Sequence, residues 1–280
     1  MYQSMKVIDA HVHIFPEKIA QAAVLATGKF YANAHNEQLL APAVLTNGQG
    51  TPEDLLAEEA RAGIDRAVVF STATTARQVE SINNFIAREC AAHPEFIGVG
   101  TMHINYPDFE SEVRRIRELG LVGIKVHPDI QQFLLDDDRL LPLYDCMRAA
   151  GLFLIAHMGD YRYNYSTPWR MARLAKLFPE MRFIGAHFGG WSQWAEAREC
   201  LALPNVYMDT SSTLGFDGWD AARKAFETFD PTHIFFGSDY PMWTPQVELE
   251  RFLALKIDEK LLPGVLAENF ENFLSELRGQ

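Results

Sequence analysis

Six of the nine histidines in this 280-residue chain fall where a run of apolar, β-prone residues ends. His11 and His13 close Asp9-Ala10-His11-Val12-His13. His103 follows the run 96–102, His127 follows Gly123-Ile124-Lys125-Val126, His157 follows 153–156 and His187 follows 182–186. Asp239 stands in the same place after the run 233–236, while His35, His93 and His233 lie elsewhere. Imidazole nitrogen and carboxylate oxygen are donors that zinc takes up, and a catalytic zinc keeps one position open for water, whose pKa it lowers toward ~7. His11, His13, His157, His187 and Asp239 therefore make a candidate nitrogen/oxygen site for a divalent metal, zinc first, with manganese or iron compatible. Residues two apart on a strand share a face. His11 and His13 should point together, with Asp9 one layer deeper, and Lys125 should share a face with His127.

The runs that carry these residues span 6–12, 66–70, 96–102, 122–126, 153–156, 182–186, 205–208 and 233–236. Each is nearly continuous in apolar residues, as in a parallel strand covered on both faces. From the second onward they recur every ~20–30 residues, the length of a strand, a helix and two loops. Thr51-Pro52-Glu53-Asp54 offers an N-cap and a first-turn proline to a helix that stops near Gly63. Phe109, Val113 and Ile116 repeat at helical spacing before Gly120. Further helices are expected over 76–92, 139–150, 167–178, 192–202, 218–229, 244–255 and 261–277. Eight alternating units favour an α/β fold of the (β/α)8 TIM-barrel type, in one domain over 1–280, rather than an open doubly wound sheet. No Gly-x-Gly-x-x-Gly fingerprint follows a strand. Residues 14–50 break the rhythm as an insertion after strand 1, expected over the C-terminal face where barrels keep their chemistry. A C-terminal helix closes the chain.

Asp and Glu number 37 against 25 Lys and Arg, a formal net charge of −12. That disfavours nucleic acid, whose phosphates need a basic surface. No uncharged apolar run reaches the ~18 residues of a membrane span, and no signal-peptide core precedes Asp9. Cys90, Cys146 and Cys200 are widely spaced in helical stretches, which suits a reduced, cytoplasmic protein better than a disulfide scaffold. Neither a Walker sequence nor a Gly-x-Ser-x-Gly elbow is present. The partner class that remains is a small-molecule substrate, and a homo-oligomer is compatible with the sequence.

In order along the chain, several motifs resemble the amidohydrolase superfamily, in the amidohydrolase-related branch that includes aminocarboxymuconate-semialdehyde decarboxylase. They are Asp9-x-His11-x-His13, Gly123-Ile124-Lys125-Val126-His127-Pro128, His157, Ala186-His187-Phe188-Gly189-Gly190, Gly237-Ser238-Asp239-Tyr240-Pro241 and Val265-Leu266-Ala267-Glu268-Asn269-Phe270. The resemblance implies that His11, His13 and His157 bind the metal and that Asp239 completes the site and takes the water's proton. It implies two roles for His187, ligand of a second metal or acid/base beside a single one, of which the second is preferred. Asp239 and His187 are thus the expected catalytic residues. Lys125 keeps three readings. It is carboxylated and bridges two metals, as in phosphotriesterase-like relatives; it is a buried ammonium paired with an acid such as Asp9 or Asp239; or its ammonium meets a substrate oxygen. His127 and His103 are candidate substrate contacts, with Pro128 favouring an extended exit from the strand at His127. Arg162, among three tyrosines in 159–165, is a candidate fork for a substrate carboxylate.

Two reactions fit this set. In metal-dependent hydrolysis, activated water attacks an amide, lactone or ester of a small, carboxylate-bearing molecule, and His187 and Asp239 handle the proton. The alternative is non-oxidative decarboxylation, a carbon–carbon lyase reaction on a small aromatic or unsaturated acid. The compact chain and Lys125-x-His127 favour hydrolysis. A metal-dependent nuclease is disfavoured by the acidic surface and by Lys125, where such relatives carry glutamate. A barrel without activity that serves as a binding protein is the last alternative, separated from the others by metal content.

Overall fold

The computed structural model describes residues 5–32, 48–216 and 218–278. Its strands are β1 (Ile8–His13), β2 (Arg66–Phe70), β3 (Phe96–Gly98), β4 (Gly100–Thr101), β5 (Gly123–Val126), β6 (Phe153–Ala156), β7 (Phe183–Gly185), β8 (Val206–Asp209) and β9 (Ile234–Phe235). The helices are α1 (Glu17–Ala32), α2 (Pro52–Ala62), α3 (Val79–Ala92), α4 (Phe109–Glu118), α5 (Pro128–Gln131), α6 (Leu141–Ala149), α7 (Pro168–Leu177), α8 (Trp194–Cys200), α9 (Trp219–Thr228), α10 (Pro245–Ala254) and α11 (Asn269–Arg278). Among the described residues no helix is long and apolar enough to cross a membrane. The Thr51 hydroxyl accepts the Asp54 N–H, and Gly63 ends α2 in the left-handed region, as the boundary signals predict.

Neighbouring strands pair in parallel, β1-β2-β3 and then β4 through β9 in order. β3 and β4 are two halves of one barrel strand, interrupted at Val99, whose N–H reaches the Val69 carbonyl at 3.0 Å. A continuous strand over 96–102 is prevented by α3. The Asn83 Oδ1 takes the Thr101 N–H at 2.7 Å, and a side chain at Gly98 or Gly100 would strike Leu121, Cys90 or Asn83. The ring closes where Val12 bridges Tyr240 and the N–H groups of Ala10 and His13 reach the carbonyls of Phe236 and Tyr240, each at 2.8 Å. The fold is a (β/α)8 TIM barrel.

Strand alternation sorts the apolar residues into two layers. Val69, Ile124, Leu154, Met208 and Ile234 face outward beneath the helices. Val68, Phe70, Ile155, Ile184, Tyr207 and Phe235 fill the barrel interior. The chain expected as one helix over 261–277 is divided into a 3-10 turn (Glu259–Leu261), a π turn (Gly264–Glu268) and α11. The Asn269 amide donates to the carbonyls of Pro231 and Ile234 at 2.8 and 2.9 Å, tying α11 to the strand entrances. From there Phe270, Phe273 and Leu274 plug the interior.

β1 departs from strict alternation. Ile8 and Ala10 belong to the interior layer and Val12 and Ile14 to the outer one, while the pairing with β2 slips between Asp9 and Val12. A bulge of this kind resets the phase of a strand. It corrects the expected layer of Asp9 beneath the histidines. The Asp9 carboxylate instead accepts the N–H groups of Ser238 and His11 at 2.9 and 3.1 Å, and burial pushes it up to about 7. Within the stretch 14–50, α1 is a helix that the sequence reading did not mark; residues 33–47 of that stretch, His35 among them, lie outside the described residues.

The Phe273 ring lies 4.7 Å from Tyr207 and 5.0 Å from Phe153. Phe273→Ala should therefore lower the apparent unfolding free energy by about 3–5 kcal/mol in urea denaturation; a loss under ~1 kcal/mol would contradict the plug.

Candidate metal centre

Above the apolar interior the inward positions turn polar. His11 and His13 stand on β1, Lys125 on β5 and Asp209 at the end of β8, with His157, His187 and Asp239 in the loops after β6, β7 and β9. Those loops hold uncommon backbone shapes. His187, Ser212 and Asp239 have φ of 61°, 57° and 62°, a left-handed region that non-glycine residues rarely occupy and that concentrates at functional sites. Gly159 has φ 76°, and a Cβ there would meet the Gly190 Cα at 2.5 Å. The loops that present His157 and His187 are in direct contact at this point.

Hydrogen bonding sets which ring nitrogens carry protons. The His187 Nδ1 lies 3.0 Å from the Ser211 carbonyl, which can only accept, so Nδ1 is protonated. Burial lowers this histidine to about 4, leaving it neutral at pH 7. Its Nε2 therefore holds a lone pair and accepts from the His157 Nδ1–H at 3.0 Å. His157, kept neutral by burial and by its histidine neighbours, is left with its lone pair on Nε2. That atom is buried and has no hydrogen-bond partner among the described residues. The same logic holds for His11. Its Nδ1 donates to the Asp209 Oδ2 at 2.8 Å, and its Nε2 lone pair accepts from the Lys125 Nζ at 3.1 Å. Burial by itself raises Asp209, but its interactions with His11 and the hydroxyl of Ser211 reverse this and hold it well below the usual carboxylate range.

His11, His13 and Asp239 come together as one ligand group. The Asp239 Oδ1 lies 3.5 Å from the His11 Nε2 and 3.4 Å from the His13 Nε2. The Ser212 hydroxyl holds the Asp239 Oδ2, and the Trp243 Nε1–H donates to the Ser212 Oγ at 3.1 Å. His157 does not join that group; the His187 ring stands between, 5.0 Å from His11 and 4.8 Å from His157. His157 instead groups with His127 and Asp129, its ring stacked on His127 at 3.9 Å. The His127 Nε2 meets the Tyr31 hydroxyl of α1 at 2.9 Å. Lys125 is fully buried, and burial lowers it to about 8. It lies 4.8 Å from the Phe70 ring centroid. Among the described residues it forms no direct ion pair with Asp9 or Asp239, but the charges of Asp209 and Asp239 act on it favourably against the cost of burial.

Two candidates are corrected. His103 turns its Nδ1 to the Asn105 N–H at 3.2 Å, capping its own turn, and does not line the cavity at the site. Arg162 forks onto Asp160, at 2.9 Å through Nε and 2.6 Å through Nη2, and its Nη1 reaches the Phe30 carbonyl at 2.7 Å. The acid two residues away takes the donors that a substrate carboxylate would need. Asp209 was absent from the expected site, although an aspartate directly after Met208 is the same strand-end signal that marks the histidines. Tyr31 gave no such signal, because α1 lies outside the repeating units.

The donor set fits a divalent cation. His11 offers Nε2, held in place by a carboxylate on Nδ1 as metal-bound histidines commonly are. Asp239 offers Oδ1 beside it, and His157, in the neighbouring group with His127 and Asp129, offers a buried lone pair without a partner. A cavity of about 640 Å³ opens over them, with His13, His127, His157 and Asp239 at its base and α1 as one wall.

Comparison with known proteins bears on the fold and the family. An uncharacterised TIM-barrel protein from Bordetella bronchiseptica is 23% identical, with a TM-score of 0.77 over 99% of this chain and 100% of that one. A 5-carboxyvanillate decarboxylase from Novosphingobium aromaticivorans, with bound manganese, is 17% identical, with a TM-score of 0.74 over 98% of each chain. A probable 2-pyrone-4,6-dicarboxylic acid hydrolase from Acinetobacter baumannii is 14% identical, with a TM-score of 0.68 over 97% of this chain and 100% of that one. The family model described as amidohydrolase matches residues 8–274, and on that match, over nearly the whole chain, the protein belongs to the amidohydrolase family.

Proposed function

We propose that this chain is a metal-dependent hydrolase acting on an amide, lactone or ester of a small molecule, with one divalent metal held by His11, His13, His157 and Asp239. The observation that carries the reading is the unpartnered His157 Nε2, buried at the floor of the same cavity as His13 and Asp239. A cation bound there would polarise a carbonyl oxygen and activate water. The chain's own groups orient and move protons. Asp209 points the His11 lone pair inward. Asp239, anchored through Oδ2 by Ser212, keeps Oδ1 for ligation or for taking a proton. His187 is a neutral base whose Nε2 exchanges a proton with its neighbours. Manganese accompanies the decarboxylase from N. aromaticivorans, so manganese stands beside zinc as the metal.

Non-oxidative decarboxylation is supported as a second reading by that same structure. The alignment spans 98% of the decarboxylase chain, so compactness no longer favours hydrolysis. Screening small lactones, N-acyl compounds and aromatic acids with the zinc- and manganese-loaded protein, with ring opening and CO2 release followed in parallel, separates the two.

Three outcomes are expected. Asp209→Asn should keep the fold and weaken metal affinity by about 10–100-fold in competition with a chelator; unchanged affinity would remove its positioning role. Asp239→Asn should keep the far-ultraviolet circular dichroism spectrum and lose at least ~100-fold in turnover on any substrate the screen finds, and substantial turnover would defeat its role. Metal analysis of the wild type and Lys125→Met should each give about one ion per chain; two ions, falling to one or none in the variant, would establish the carboxylated bridge instead.

A further inference from the structure

The cavity over the metal centre is polar only at its base and along one side. Phe15, Ile19, Phe30, Ile82, Phe85 and Met242 supply much of the remaining wall. No lysine or arginine lines it among the described residues. Two cations close to it are taken: Arg162 by Asp160 and the Phe30 carbonyl, and Lys125 by His11. The polar side presents neutral groups, Ser71, Gln78 and Ser81, together with Thr72, whose Oγ1 is buried and has no hydrogen-bond partner among the described residues. An anionic group placed against the apolar wall would lose its hydration with no countercharge to replace it, a cost that neutral hydrocarbon does not meet.

Resting on the metal-enzyme reading above, we infer that the substrate is a monofunctional acid or acid derivative: one carboxyl-level group for the metal centre, carried on an uncharged hydrocarbon or aromatic body. A volume of about 640 Å³ is in the range of sites that enclose whole small ligands. A second, distal carboxylate would meet no lysine or arginine among the described residues of the lining and is disfavoured.

Calorimetric binding of two matched pairs to the metal-loaded protein at pH 7.5 tests this. The pairs are octanoate against octanedioate, and 4-phenylbutanoate against 4-(4-carboxyphenyl)butanoate. The monoacid should bind at least ~100-fold more tightly in at least one pair. Ile82→Arg, which puts a cation on the wall, should shrink that preference at least ~10-fold by improving binding of the diacid. Equal or tighter binding of the diacid by the wild type would overturn the inference, as would the absence of binding by both monoacids at millimolar concentration. Metal content of the same samples reports separately on the proposed function. A chain that holds no metal yet keeps the monoacid preference would overturn that reading and leave only the limit to one charged group standing.

Discussion

The carboxylate of Asp209 is the contact on which the polar layer depends. It sits at the end of β8 with no exposure to solvent and accepts from the His11 Nδ1, the His187 backbone N–H and the Ser211 hydroxyl. These three bonds bring the ends of three strands to one point. They also decide proton placement. With Nδ1 of His11 committed, the lone pair lies on Nε2, toward Lys125 and Asp239. With Ser211 held, its carbonyl fixes the tautomer of His187, and through it that of His157. A neutral imidazole with its lone pair aimed inward is what a metal requires. Here burial and one carboxylate hold that state.

This polar layer is affordable because the barrel beneath it is apolar and filled. Phe70, Ile155, Tyr207 and Phe235 fill the interior, and α11 seals the entrance with Phe270 and Phe273. A rigid floor allows the loops after β7, β8 and β9 to keep left-handed residues at His187, Ser212 and Asp239. Such conformations persist only where the surroundings over-determine them. The chemistry and the strain therefore occupy the same few residues, one layer above a core that carries neither.

The barrel was legible because its signal is repetitive. Apolar runs recur at one spacing, and histidines collect where those runs end. Legibility failed where a single local interaction overrode the pattern. Alternation along β1 placed Asp9 under His11, but the bulge between Asp9 and Val12 turned it away. The run 96–102 read as one strand because nothing in its composition announces that Asn83 will take the Thr101 N–H. Arg162 was expected to face a substrate, and Asp160 claims it. Asp209 was within reach of the same rule that found His157 and His187, had carboxylates at strand ends been weighed like histidines. Tyr31 was not within reach, since its contact with His127 depends on where α1 packs.

The central claim is that imidazoles gathered from separate strands share one cation. X-ray absorption at the zinc edge of the zinc-loaded protein tests it without any substrate. The expected spectrum shows nitrogen and oxygen neighbours at about 2.0–2.1 Å with the multiple scattering of about three imidazole rings. An oxygen-only shell without imidazole scattering, or zinc lost on desalting, would contradict it.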